Sequence, residues 1–146
     1  MDYQGAFRIS AAGMALEKAR VDVTAQNIAH MHVARAADGS IYHPARVVAK
    51  AGQLPAFGTS YEAAQDNLLS GPQGVSTEPL LAAPRLVHEP GHPQADEKGF
   101  VAYPGVNHSQ EMVNLVSALR AYEANVVAMN AAKTMALKAL ELGGNT

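Results

Sequence analysis

The sequence predicts a mainly α protein. Long N- and C-terminal helices pair as a coiled-coil-like hairpin, and a small irregular β-containing region lies between them. Three observations carry that reading. All eight prolines fall between Pro44 and Pro104, and between Gly105 and Gly143 the chain has neither glycine nor proline. Apolar residues recur at three-four spacing in both end segments. The apolar load is 48% of the chain, but aromatics are only 5% and Trp is absent, so alanine and methionine supply a surface suited to close helix–helix contact.

The first helix is expected over about Gly5 to Ala29. It carries two heptad-spaced rows, Phe7, Met14, Val21 and Ile28 in one, Ile9, Leu16 and Val23 in the other, with Ala12 and Ala19 between them. The rows are offset by two residues, which is about 200° on a helix, so they face nearly opposite sides. One side can pack on the C-terminal helix. The other needs a second partner, either a neighbouring subunit or the middle region folded back.

The last helix is expected to start at Asn107, a good N-cap, with Gln110 placed to reach back to the cap. Gly143 and Gly144 form the stop. Roughly 34 residues give a rod of about 51 Å. A seam of Leu115, Leu119, Tyr122, Val126, Met129, Ala136 and Leu140 is broken by Lys133. Met112, Val113, Val116, Val127, Met135, Leu137 and Leu142 lie off it, so the apolar surface is wider than one helix covers. Polar residues inside these belts (Asn27, Asn125, Asn130 and Lys133) suit a register-setting role or simple exposure to water.

The organisation expected is thus 1–30 plus 107–146 as the helical domain and 31–106 as the middle region. Short strands are expected at Ile41-Tyr42, Arg46–Lys50, Pro84–Val87 and Gly99–Tyr103, the last after an Asp96-Glu97-Lys98-Gly99 turn. The stretch 52–79, rich in Gly, Pro, Ser and Gln, reads as a long loop or a partly disordered insert.

Several functions find little support. A net charge of −2 with no basic stripe argues against nucleic acid. The absence of cysteine excludes disulfides and thiolate metal sites. The start MDYQGAFRIS is a poor secretory signal, which leaves export by another route open. His88-Glu-Pro-Gly-His92 has the letters of a zinc-protease helix, but Pro90 and Gly91 break the helix that would align two histidines, so it reads as a turn. His30-Met31-His32 reads as an exposed loop rather than a soft-metal site, and Asn107-His108-Ser109 as a helix cap rather than a glycan acceptor. No catalytic residue, metal ligand, cofactor or small-molecule substrate is expected.

Two stretches go beyond periodicity. One is Phe7-Arg-Ile-Ser-Ala-Ala-Gly-Met-Ala-Leu followed by Val21-Asp-Val-Thr-Ala-Gln-Asn-Ile-Ala29. The other is Ser117-Ala-Leu-Arg-Ala-Tyr-Glu-Ala-Asn125 followed by Asn130-Ala-Ala-Lys-Thr-Met-Ala-Leu-Lys-Ala-Leu140. They resemble the terminal helices of the bacterial flagellar rod and hook axial proteins. Arg35-Ala-Ala-Asp-Gly-Ser-Ile-Tyr42, Glu89-Pro-Gly-His-Pro-Gln-Ala-Asp96 and Gly99-Phe-Val-Ala-Tyr-Pro-Gly-Val-Asn107 narrow the resemblance to proximal rod members. The sequence departs from that pattern after Asn27-Ile28-Ala29, where His30-Met31-His32-Val33 replaces the usual Asn-Ala-Asn-Thr.

The resemblance implies a non-catalytic structural subunit of the basal-body rod, the periplasm-spanning shaft that transmits torque. It implies export through the flagellar type III apparatus without a cleaved signal peptide. The partners implied are the chain itself, other rod proteins, the adaptor FliE and the ring at the rod base. Assembly contacts are expected at Phe7, Ile9, Met14, Leu16, Val21, Val23, Asn27 and Ile28 of the first helix. On the last helix they are expected at Met112, Leu115, Leu119, Tyr122, Asn125, Val126, Met129, Asn130, Leu137 and Leu140. The main rival is a filament or needle-type component of a related type III secretion system, and a further one is a self-contained α/β binding module.

Overall fold

The computed structural model describes residues 3–35, 39–51 and 72–144. Six elements follow in order: α1 (Tyr3–His30), β1 (Ala45–Ala51), β2 (Pro72–Pro79), β3 (Arg85–His88), β4 (Phe100–Tyr103) and α2 (His108–Gly143). The fold is mainly helical, with a small β-containing middle, as expected. Among the described residues no helix is long and apolar enough to cross a membrane.

The ends of α2 follow from local chemistry. Asn107 caps it: Asn107 Oδ1 accepts from the Gln110 amide at 3.2 Å, which satisfies one of the first-turn donors. Gln110 does not reach back as the capping-box pattern suggests; its Nε2 donates forward to Asn114 Oδ1. At the far end the Gly144 amide closes on the Leu140 carbonyl. On α1, His30 occupies the last turn and its Nδ1 lies 2.8 Å from the Gln26 carbonyl oxygen.

Each pair of strands forms its own two-stranded sheet. Strands β3 and β4 are antiparallel, with Arg85 opposite Tyr103, Leu86 opposite Ala102, Val87 opposite Val101 and His88 opposite Phe100. Alternation sends Val87 and Val101 to one face and Leu86 and Phe100 to the other. Val101 is fully buried, whereas Leu86 is exposed. The predicted turn is present: Asp96 Oδ1 accepts from the amides of Lys98 and Phe100, and the Gly99 amide donates to the Asp96 carbonyl.

Two expectations are corrected. Pro72–Pro79 was expected within a loop but forms β2 against β1. Its prolines stand at the strand ends, where a missing N–H removes least from the ladder. The remainder of the expected insert, 52–71, lies outside the described residues. Ile41-Tyr42 is not a strand, because Tyr42 is committed elsewhere: its ring stacks on His30 with centroids 4.4 Å apart.

The described residues fall into two units. One takes residues up to Ala19, from Val48 to Ser76 and from Ser117 onward; the other takes Arg20–Val47 and Thr77–Val116.

Candidate assembly surface

The sequence promises two apolar rows on α1, but neither row is the face most deeply covered. The buried polar residues are Ser10, Glu17, Thr24 and Asn27. Ser10, Glu17 and Thr24 recur every seven residues, and Gly13 and Asn27 stand three residues after Ser10 and Thr24. This is a three-four row of small and polar residues. The two apolar rows lie to either side of it, each roughly 75° around the helix at 100° per residue. Phe7, Met14, Leu16, Val21 and Ile28 are half-buried, Ile9 is exposed, and only Val23 is buried.

Within the first unit, Gly13 sits directly against Asn125 of α2. A Cβ on Gly13 would stand 2.7 Å from Asn125 Oδ1. The Asn125 amide is itself held, since its Nδ2 donates to the Ala121 carbonyl at 2.9 Å. The close approach has a testable energetic signature. In wild type, Gly13→Ala gains about 1 kcal/mol of helix propensity but must displace that amide, so little net change is expected. In an Asn125→Ala background the obstacle is gone and Gly13→Ala should stabilise by about 1 kcal/mol. Thermal melts of the four proteins measure the coupling, and strictly additive effects would mean the two residues do not meet.

Within the second unit, Asn27 is a four-way junction. Its Nδ2 donates to the Ala45 carbonyl at 2.9 Å and to Glu111 Oε2 at 3.2 Å. Its Oδ1 accepts from the Ala45 amide and the Tyr42 hydroxyl, both at 2.9 Å. An amide side chain has two donors and two acceptor lone pairs, so its capacity is filled. Burial first, and the negative Glu111 second, hold the Tyr42 hydroxyl above its ordinary pKa of 10.0, which keeps it a donor. The amphipathic pattern marked Asn27 as polar within an apolar belt. It gave no sign that Tyr42, Ala45 and Glu111 converge there.

On α2 the buried residues are Ala118 and Ala132, with Asn125 midway in the same seven-residue step. Val116 lies two residues before Ala118, and Val127 two residues after Asn125. Two residues is about 200°, so both valines point away from the covered row. They are 52% and 67% exposed, more than the predicted Leu119 and Tyr122 at 46% and 38%. Among the other predicted residues, Asn130, Leu137 and Leu140 are exposed, and Met112, Leu115, Asn125, Val126 and Met129 are half-buried. Val113, Val116, Val127 and Met135 were seen to be off the seam but were not assigned to the surface. They too are exposed.

The former zinc-like letters form a turn. The His92 amide donates to the Glu89 carbonyl, and His92 Nδ1 accepts from the Gln94 amide. Glu89 accepts from the Tyr103 hydroxyl at 3.0 Å, and that bond is the main reason the phenol is pushed above its ordinary pKa.

Among the described residues of the two helices, the covered rows are small and polar, and several valines and leucines are exposed. Residues 97–142 match the model of the C-terminal region of the flagellar basal body rod FlgEFG proteins. Over 94% of this chain and 95% of the relative, the sequence is 36% identical to the flagellar basal-body rod protein FlgC of Escherichia coli O6:H1. The chain belongs to the FlgC family of flagellar basal-body rod proteins. The FlgC of Salmonella typhimurium is 35% identical over the same shares, and that of Bacillus subtilis is 36% identical over 92% of this chain and 94% of its own. The needle-type alternative is not favoured.

Proposed function

We propose that this chain is a structural subunit of the flagellar rod whose terminal segments, 1–30 and 107–146, pair antiparallel and present their apolar flanks to neighbouring subunits. The observation that carries the reading is the inversion of polarity: the covered rows are polar or small, and Val113, Val116, Val127, Leu137 and Leu140 face outward. A self-sufficient helical hairpin does the reverse. Leaving this much apolar surface in water is unfavourable at about 25 cal/mol per Å², and neighbours that cover it recover that free energy.

Each unit has its own contact between the two terminal segments: Gly13 meets Asn125 in the first, and Asn27 meets Glu111 in the second.

The other rod proteins are the partners this surface suits. The adaptor FliE and the ring at the rod base, export through the flagellar type III apparatus and a place in the periplasm-spanning shaft complete the proposal. They follow from family membership. The role is mechanical and asks for no cofactor or substrate.

Mass spectrometry of detergent-washed basal bodies tests it. The chain is expected there in a fixed ratio to the other rod subunits. Its absence from intact basal bodies would defeat the reading.

A further inference from the structure

We draw no further inference here: the strongest candidate, the groove that Arg35, Leu86, Gln94, Asp96 and Phe100 line beside strands β3 and β4, carries nothing because nothing in the structure shows what fills it.

Discussion

Replacing Asn27 with alanine is expected to destabilise the protein by about 2–4 kcal/mol. The side chain is 3% exposed and joins α1 to the residue that opens β1, to Tyr42 and to Glu111. Alanine removes four hydrogen bonds and leaves the partners behind. Each buried group that stays unsatisfied costs about 1–3 kcal/mol, and the total is held down because Tyr42 and Glu111 are only partly covered and water can reach them. Asn27→Asp should be no better. It keeps two acceptors for Tyr42 and the Ala45 amide, but turns a carboxylate toward Glu111 and the Ala45 carbonyl, where donors are needed. Urea unfolding of the three proteins measures this. A loss below about 0.5 kcal/mol for alanine, typical of a surface site, would mean the junction does not hold the fold.

The same junction should loosen in alkali. The Tyr42 pKa is raised in the folded protein above the 10.0 of the unfolded chain. The neutral hydroxyl is thus favoured by folding, and its contribution is fully present below pH 10 and lost as pH rises through the folded value. The difference in stability between wild type and Tyr42→Phe should therefore shrink above pH 10.

How much of this was legible in the sequence depends on whether the signal was local. The starts of β4 and of α2 are written in neighbouring residues: the Asp96 turn and the Asn107 cap are each complete within five residues. The strand β2 was not legible, because a partner strand overrides the turn-forming bias of Pro72, Gly74, Ser76 and Pro79. Residues far apart in sequence hid the junction as well: Glu111 lies 84 positions from Asn27. On the helices, hydrophobic periodicity found the apolar rows but assigned one of them to the covered face. Ser10, Gly13 and Thr24 lie on the covered side, where Gly13 lets the two backbones approach; under the proposed function the exposed apolar residues would be covered by neighbouring subunits, where a rule that turns every apolar residue inward fails.

That inversion leads to the largest functional effect expected of this surface. Val116→Asp combined with Val127→Asp should abolish incorporation into the rod and leave the cells non-motile, while the soluble chain unfolds as wild type does. The two valines lie on the outward side of α2, at 52% and 67% exposure, so an aspartate at either position stays hydrated in the free subunit and costs within about 0.5 kcal/mol. In an assembled rod the same carboxylates lose water without gaining a partner, which costs several kcal/mol per site. The double substitution therefore separates folding from assembly. Ser109→Asp is the control for an added carboxylate: it places one negative charge in the first turn of α2, where the helix dipole favours an anion, and should leave both folding and motility unchanged. Motility in soft agar, the recovery of basal bodies and the melting temperature of the purified chain are the three readouts. If the double variant swims like wild type, the outward face of α2 is not an assembly surface. If it fails to swim because it no longer folds, the valines serve the subunit and not its neighbours. Loss of the rod with an unchanged melt is the outcome that the covered polar rows and the exposed apolar flanks together require.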